Sequence, residues 1–265
     1  MHGRVALVTG AGSGLGAAIA GRLARDRARV VMNDIVEGPA KETAGRLDGG
    51  AAGIAVFDVA DSGAVTSAID AVVAEHGGID ILVNNAGISP MREAVREKGL
   101  ANMAARMAGE PMVPTEATST LTDEEWDRML RVHLYGTFFC SRAALRHMEP
   151  ARSGAIVNIA SIAGLQGIPS APHYSAAKGG IVAFTRSVGG EVANLGIRVN
   201  AVAPAYIDTP LLGDMDEMMK QLITFRTPAG RLGRAEEVAE MVRFLAGDEA
   251  SYCHGEVLSI TGGYQ

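Results

Sequence analysis

Short apolar runs alternate with longer segments of helical periodicity along most of the chain. Each run has about the length of a β-strand, and the segments between them, such as the amphipathic stretch from Leu15 to about Arg27, predict helices. The runs that predict strands are Arg4–Val8, Arg29–Asn33, Ala52–Phe57, Ile79–Val83, Ala155–Ala160 and Ile197–Val202. No linker interrupts the alternation. The pattern therefore predicts one doubly wound α/β domain with a parallel sheet over residues 1–265.

A glycine-rich turn joins the first predicted strand to the first predicted helix. Glycine lets the backbone approach a phosphate closely, and the N-terminus of the helix supplies free N–H groups and a partial positive charge. On spacing alone the turn could also be a flexible loop. Its sequence is Thr9-Gly10-Ala11-Gly12-Ser13-Gly14-Leu15-Gly16, and its candidate cofactor-binding residues are Gly10, Ser13, Gly14, Leu15 and Gly16.

An acidic residue follows the second predicted strand. Asp34 lies eighteen positions after Gly16 and is followed by Ile35. A carboxylate at this place fits the ribose hydroxyls of NAD and repels the extra phosphate of NADP. The alternative is that Asp34 only caps the following helix. We therefore expect a nucleotide site that prefers NAD, with Asp34 and Ile35 among its residues.

Further candidate residues follow three later strands. Any one of these segments could be an ordinary turn. In a parallel sheet, however, the carboxyl ends of the strands meet at one edge, which is where ligands bind. Asp58 and Val59 would meet the adenine. The full set of candidates at these strand ends is Asp58, Val59, Asn85, Ala86, Gly87, Pro204, Ile207 and Thr209.

A serine, a tyrosine and a lysine fall within eighteen residues. Ser161 follows an apolar run, and Tyr174 and Lys178 are four positions apart, so they share one face of a helix. A phenol has a pKa of about 10, and an ammonium held beside it lowers that pKa toward neutrality. The Ser161 hydroxyl would help to position an oxygen that the tyrosine protonates or deprotonates. A Tyr-x-x-x-Lys pair alone is common on helices, so its meaning depends on the upstream motifs.

Together these motifs resemble the short-chain dehydrogenase/reductase family over essentially the whole chain. The resemblance implies a sheet of seven strands in the order 3-2-1-4-5-6-7. It also implies that Tyr174 is the general acid/base, that Lys178 binds the nicotinamide ribose and lowers the pKa of the tyrosine, and that Ser161 orients the substrate. The matching motifs are Thr9-Gly10-x-x-x-Gly14-x-Gly16, Asn84-Asn85-Ala86-Gly87, Ser161, Tyr174-x-x-x-Lys178, Arg198-Val199-Asn200 and Gly262-Gly263.

The activity that the resemblance implies is hydride transfer between NAD and a secondary alcohol or ketone. It further implies a homo-oligomer, most often a tetramer. Two long predicted helices, about Thr122–Met148 and Pro172–Ala193, carry apolar faces that could form one interface, and Glu256–Gln265 could pair across a second.

Two segments would shape the substrate pocket. The segment of about 91–120, after the fourth strand, makes the chain longer than the family pattern by roughly twenty residues and carries four basic side chains. This insertion is either a lid or pocket wall that narrows substrate choice, or a solvated excursion. The second segment, about 205–230, would enclose the substrate, and its methionines, Met215, Met218 and Met219, suit an adaptable apolar wall.

Two single positions also depart from the family pattern. His133 stands where the family commonly has a catalytic asparagine that supports a proton-relaying water. A histidine could keep that relay, with a titration near its usual pKa of about 6.5; alternatively, only its backbone carbonyl matters and the side chain is packing. Ala205 follows Pro204 where the family usually has glycine. Alanine tolerates positive φ less well, so we expect a slightly displaced loop.

Composition excludes several classes of protein. A net charge of −6 gives no reason to expect nucleic acid or an anionic membrane as a partner. No stretch is long and apolar enough to span a bilayer, the early first strand leaves no room for a secretory signal, and no His/Cys cluster has zinc spacing. The two cysteines, Cys140 and Cys253, form no disulfide framework and favour a cytoplasmic location. We expect Cys140 in the core.

Two other functions are compatible with the same motifs. A reductase of 3-oxoacyl thioesters, on acyl carrier protein or coenzyme A, would use the basic residues of the insertion to meet phosphate. Such reductases usually prefer NADPH and often have a basic residue near the position of Ser13. The acidic Asp34 and the uncharged Ser13 argue against this function. A non-catalytic nucleotide-binding scaffold would not need Ser161, Tyr174 and Lys178, and all three are present.

Overall fold

Seven parallel strands form a single sheet in the order β3-β2-β1-β4-β5-β6-β7. The computed structural model describes residues 1–47, 51–90, 92–212, 215 and 217–264. Met91 and Gln265, at the ends of two segments named above, lie outside these residues. The strands are β1 Val5–Val8, β2 Arg29–Asp34, β3 Ala51–Val56, β4 Ile81–Asn84, β5 Gly154–Ile159, β6 Ile197–Pro204 and β7 Val257–Ile260. The predicted fold class and strand order are confirmed.

Helices cover both faces of the sheet and connect the strands. They are α1 Gly14–Arg25, α2 Glu37–Ala44, α3 Ser62–His76, α4 Glu93–Ala108, α5 Asp123–Leu130, α6 Gly136–Ala151, α7 Ala163–Gln166, α8 Pro172–Val192, α9 Glu217–Arg226 and α10 Ala235–Ala246. Most predicted boundaries agree with these to within two residues, which is the usual uncertainty of a helix or strand end.

The residues of β1 show why the sheet needs helices on both sides. Side chains alternate between the faces of a strand. Ala6 and Val8 pack in the core layer that α1 and α10 cover. Val5 and Leu7 pack in the opposite layer, against α3 and α6. All four side chains are buried, so the apolar run is continuous rather than alternating, as expected for a parallel sheet with two covered faces.

A polar side-chain ladder lies inside the second layer. Asn84 of β4 and Asn158 of β5 are register partners, and the Asn84 Nδ2 donates to Asn158 Oδ1 at 2.8 Å and to Ser141 Oγ at 3.0 Å. The Asn158 Nδ2 donates in turn to Thr185 Oγ1 at 2.9 Å. Ser141 lies on α6 and Thr185 on α8, so the ladder joins two strands to the two helices above them.

The long helix predicted over Thr122–Met148 is divided. A π-helical turn, Arg131–Tyr135, separates α5 from α6. The start agrees with the sequence, because Thr122 and Glu125 form a capping box at the N-terminus of α5. π-helical turns occur mostly as single turns inside α-helices and are frequent at functional sites. This one carries His133.

Candidate active site

A cleft of about 1010 Å³ opens at the carboxyl edge of the sheet. The loops that follow β1 to β6 all contribute to its wall, as expected for an open α/β sheet. The cleft brings together every site residue that the sequence nominated. These residues are Gly10, Ser13, Gly14, Leu15, Gly16, Asp34, Ile35, Asp58, Val59, Asn85, Ala86, Gly87, His133, Ser161, Tyr174, Lys178, Pro204, Ile207 and Thr209.

The glycine-rich turn lies directly beside the loop that follows β4. Gly10 has φ +62°, and a Cβ placed on it would lie 2.8 Å from the Cα of Ala86. The Thr9 Oγ1 accepts hydrogen bonds from the backbone N–H groups of Asn85 and Ala86, at 2.9 and 3.0 Å. Only glycine fits at Gly10, because both the backbone conformation and the close approach exclude a side chain.

The Asn85 side chain holds this arrangement together. Its Nδ2 donates to the backbone oxygens of Thr9 and Gly10, at 2.9 and 3.1 Å. Asn85 therefore fixes the shape of the glycine-rich turn, although it also lines the cleft. Side-chain hydrogen bonds from a second loop therefore hold the glycine-rich turn in a fixed shape. A merely flexible loop would not need these bonds.

Asp34, the last residue of β2, is held by two backbone N–H groups. Its Oδ2 accepts from Gly12 N at 3.0 Å, and its Oδ1 accepts from Val36 N at 3.2 Å. The second bond steadies the turn before α2, so part of the capping alternative is also present. Each carboxylate oxygen retains an unused lone pair, and the half-buried side chain lines the cleft. Asp34 can therefore accept hydrogen bonds from a ligand in a fixed orientation.

Ser161, Tyr174 and Lys178 converge from β5 and α8. Ser161 is buried just beyond the end of β5, and its Oγ accepts from the backbone N–H of Ala163 at 3.1 Å. Lys178 is 4% exposed, and its Nζ donates to the backbone oxygen of Ile159 at 2.6 Å. The same Nζ lies 5.7 Å from the centre of the Tyr174 ring. The helical spacing of four thus places an ammonium beside the phenol ring, as predicted.

Burial governs the titration of this pair. Burial raises the pKa of Tyr174 above its usual value, and a hydrogen bond with Ser161 acts in the opposite direction. Burial also lowers the pKa of Lys178 to about 7. The sequence led us to expect a lowered tyrosine pKa. In the structure the pKa is raised, because desolvation disfavours the charged form of each group.

His133 lies within the cleft wall and is almost fully buried, at 2% exposure. Its Nε2 is 3.1 Å from both the backbone nitrogen and the backbone oxygen of Ile88, and its Nδ1 has no hydrogen-bond partner among the described residues. Its ring meets the Tyr174 ring edge-on, with centroids 5.3 Å apart. A Cβ on Gly87 would lie 2.5 Å from the His133 Cε1. The imidazole is therefore tightly enclosed.

The pKa of His133 lies well below its usual range. Burial is the largest cause, followed by the charge of Lys178, while the hydrogen bond to Ile88 acts in the opposite direction. The titration near pH 6.5 that the relay alternative required does not agree with this lowered pKa. The backbone oxygen of His133 accepts from Thr137 Oγ1 at 2.8 Å, so this carbonyl also has a side-chain partner.

The insertion folds as a helix against the cleft. Val95 of α4 is buried, and four residues from the first part of the insertion line the cleft: Arg92, Val95, Arg96 and Gly99. The Arg92 guanidinium donates to Glu125 Oε1 at 3.1 Å and to the backbone oxygens of Ala117 and Thr120, at 3.0 and 2.8 Å. Arg92 therefore connects the start of the insertion to the end of the insertion and to α5.

Ala205 does not have the positive φ that would require glycine. Its backbone N–H donates to the oxygen of Ile260 at 3.0 Å, which continues the alignment of β6 with β7. The displaced loop that we expected from the missing glycine therefore has no cause at this position.

Cys140 is in the core as predicted, and burial raises the pKa of its thiol to about 12.

Several residues of the cleft were not found from the sequence. Ile88 follows the Asn84–Gly87 motif directly, and its contact with His133 could have been suspected from that position. Arg128 and Arg131 also line the cleft, but they belong to no recognised sequence motif.

Within the described ranges no cluster of three or more His, Cys, Asp or Glu side chains could hold a metal ion. In the same part of the chain, no helix has the length and apolar character needed to cross a membrane.

Comparison with known proteins agrees with this geometry. The family model described as enoyl-(acyl carrier protein) reductase matches residues 10–265. The cis-4-hydroxycyclohexanecarboxylate dehydrogenase of Sinomonas cyclohexanicum is 41% identical over 98% of this chain and 96% of its own. The 3-oxoacyl-[acyl-carrier-protein] reductase of Thermotoga maritima is 35% identical over 99% of this chain and 98% of its own, and the Escherichia coli enzyme of that name is 38% identical over 99% and 97%.

These matches extend over almost all of each chain, and they join two enzyme activities that both interconvert an alcohol and a carbonyl group. With the strand order, the glycine-rich turn and the Ser161, Tyr174 and Lys178 cluster, they show that this protein is an oxidoreductase of the short-chain dehydrogenase/reductase family.

Proposed function

We propose that this enzyme interconverts a secondary alcohol and a ketone, with NAD(H) as the hydride partner and Tyr174 as the proton donor and acceptor. The observation that carries the proposal is the single cleft that contains Asp34 at one strand end and Ser161, Tyr174 and Lys178 at others. When bound, the nicotinamide would accept or supply the hydride.

The residues of the cleft fit a dinucleotide. The approach of Gly10 to Ala86 leaves bare backbone where phosphates would lie, and the N-terminus of α1 supplies N–H groups to them. Asp34 would accept hydrogen bonds from the adenosine ribose, and its charge would oppose a 2′-phosphate. Among the residues from Gly10 to Gly16 no basic side chain is available to attract that phosphate. These two features support NAD over NADP in the proposal.

The chain's own groups can move and hold a proton at the substrate oxygen. The Ser161 Oγ already accepts from Ala163, so its hydrogen can be donated to the substrate oxygen. Lys178 uses one of its N–H donors on Ile159, and the remainder can serve a ribose hydroxyl and a water beside Tyr174. The Tyr174 hydroxyl would give its proton to a ketone oxygen in reduction and take one from an alcohol in oxidation.

A second candidate is the reduction of 3-oxoacyl thioesters. Two of the relatives named above carry that activity in their names, at 35% and 38% identity. The basic residues of the insertion would favour a phosphate-bearing carrier. The acidic residue at the end of β2 favours the first candidate.

We also propose a homotetramer, because the family resemblance implies one and because aromatic side chains of α5, the π turn and α6 remain exposed. Trp126, Tyr135 and Phe138 are 37%, 41% and 39% exposed. The cytoplasmic location stays a prediction.

The experiment that tests the proposed function is a panel of secondary alcohols assayed with NAD and separately with NADP. The panel should include hydroxycycloalkanes, hydroxysteroids, sugars and 3-hydroxyacyl thioesters, with NADH formation followed by absorbance. Turnover of at least one alcohol with NAD supports the proposal. Turnover of thioesters alone, with NADP preferred, would favour the second candidate.

A further inference from the structure

The charged residues that line the cleft are divided by sign between different elements of the fold. The acidic ones, Asp34 and Asp58, follow β2 and β3, in the part of the cleft assigned to the nucleotide. The insertion and α5 with its π turn contribute four arginines and no acidic side chain to the lining: Arg92, Arg96, Arg128 and Arg131. The chain as a whole has a net charge of −6, so the positive charge of this part of the lining is opposite in sign to the net charge of the protein.

Two of these arginines are engaged by the protein itself. Arg92 is bound to Glu125 and to two backbone oxygens. Arg96 donates from its Nε to Glu93 at 3.0 Å. Their charges are therefore at least partly neutralised by acidic neighbours outside the cleft lining, and Arg92 in particular holds the insertion in place.

Arg128 and Arg131 differ from that pair. Neither guanidinium group has a hydrogen bond or an ion pair among the described residues, although Glu124 and Asp127 lie one turn before the two arginines. The two arginines are three positions apart across the junction of α5 and the π turn, so they lie on one face. Both are exposed, and both belong to the cleft wall.

Arg128, Arg131, His133 and Tyr174 all line the same cleft. Arg131 precedes His133 by two residues, and the His133 ring contacts Tyr174. Guanidinium groups present a planar fork of donors that matches the two oxygens of a carboxylate or phosphate. Two such groups on one wall of a cleft can fix the far end of a substrate while its hydroxyl lies at Tyr174.

We propose that Arg128 and Arg131 bind an anionic group of the substrate, a carboxylate or a phosphate carried at a distance from the reacting hydroxyl. This inference rests on the proposed function, because it assigns the substrate class of the same cleft. The 41% identical relative is named for a substrate that carries such a carboxylate. The phosphate of an acyl-carrier thioester would present the same chemistry.

The test uses two pairs of alcohols that differ in charge, with the intact enzyme and NAD. One pair is cis-4-hydroxycyclohexanecarboxylate and its neutral carboxamide. The other pair is 3-hydroxybutanoyl coenzyme A, which carries phosphates, and the uncharged N-acetylcysteamine thioester of the same acid. The variants are Arg128→Gln, Arg131→Gln and the double variant. Arg146→Gln is the matched control, because Arg146 is an exposed arginine of α6 outside the cleft lining.

The double variant should lose about tenfold or more in kcat/KM on the charged member of one pair and stay within about twofold on the neutral member. A selective loss in the first pair identifies a hydroxy acid, and a selective loss in the second identifies a phosphate-bearing thioester. Equal losses on charged and neutral members would indicate a structural role and overturn the inference. Unchanged kinetics, or a weakened affinity for NAD with substrate selectivity intact, would overturn it as well.

A binding measurement separates this inference from the proposed function. Trp126 is the only tryptophan and lies on α5, two positions before Arg128, so its fluorescence can report binding of cyclohexanecarboxylate or inorganic phosphate. Saturable binding to the parent protein and the Arg146→Gln control, with loss in the double variant, supports the inference even if none of the four alcohols is oxidised. Equal titrations for the parent and the double variant overturn it, whatever the outcome with the alcohols.

Discussion

The Nε2 atom of His133 lies 3.1 Å from both the backbone nitrogen and the backbone oxygen of Ile88. One neutral imidazole nitrogen is either a donor or an acceptor, so it can satisfy only one of these groups at a time. An asparagine side chain carries one acceptor and one donor and could satisfy both. The residue that the family commonly has at this position therefore fits the Ile88 backbone better than the residue present.

We expect His133→Asn to keep most of the activity and His133→Leu to lose more, because leucine leaves both backbone groups of Ile88 unpaired. The loss with leucine should be accompanied by a lower Tm, by an amount that reflects about 1–3 kcal/mol for a buried unpaired group. Steady-state kinetics and thermal unfolding of the three proteins check this. If the leucine variant matches the parent in both, the imidazole only fills space.

Acid should weaken the parent protein more than His133→Asn. The pKa of His133 is lowered in the folded state, so the unfolded chain binds the proton more readily. The stability that this histidine contributes is present above about pH 6.5 and is lost as the pH falls toward its lower folded-state pKa. The Tm advantage of His133→Asn should therefore grow between pH 7 and pH 5. A difference in Tm that does not change with pH would contradict the lowered pKa.

Cofactor choice should depend on Asp34. We expect NAD to be preferred over NADP by at least about tenfold in kcat/KM, which corresponds to ~1.4 kcal/mol. Asp34→Ala should reduce that preference, because it removes both the ribose acceptor and the like-charge repulsion. It should also lower Tm slightly, since Gly12 N and Val36 N lose their acceptor. Better use of NADP by the parent enzyme would refute the assignment.

Measurements of NAD affinity should distinguish the role of Tyr174 from that of Lys178. Tyr174→Phe removes the proton-transfer hydroxyl and little else, so turnover should nearly vanish while NAD affinity stays within a few-fold. Lys178→Ala should impair both, because in the proposed function the ammonium binds the ribose and also acts on the tyrosine. Calorimetric titration with NAD distinguishes the two variants, and normal NAD binding by Lys178→Ala would show that the lysine acts on the tyrosine alone.

Replacing residues 91–120 with a short Gly/Ser loop should change the rank order of substrates and leave NAD affinity within a few-fold. The segment contributes Val95, Arg96 and Gly99 to the cleft, and Arg92 ties it to α5. Kinetics on the alcohol panel and NAD titration check the two halves of this prediction. An unchanged ranking would show that the insertion does not act as a pocket wall in selection.

The sequence predicted the fold and the place of the site because both depend on local, repeated signals. Apolar runs of strand length, glycines after β1 and polar residues after later strands all follow from the requirements of a parallel sheet with one ligand edge. The spacing of Tyr174 and Lys178 likewise fixes a helical face without knowledge of the rest of the chain.

What the sequence could not predict depends on contacts between distant segments. The lowered pKa of His133 arises from burial against Ile88 and Gly87 and from the charge of Lys178, and none of these neighbours is adjacent in sequence. The raised pKa of Tyr174 is also a consequence of burial. Arg128 and Arg131 look like any exposed helical arginines until the cleft wall is known.

The pairing of Asn84 with Asn158 has a consequence for the alignment of the site. Asn84 lies one residue before the loop that shapes the glycine-rich turn, and Asn158 lies three residues before Ser161. If β4 slid against β5 by one residue, the two loops would move apart by about 3.3 Å, and the side-chain amides would turn into opposite apolar layers without partners. The amide pair therefore fixes the register of two neighbouring strands. It penalises a misaligned register, and it sets the distance between the glycine-rich turn and the Ser161 hydroxyl.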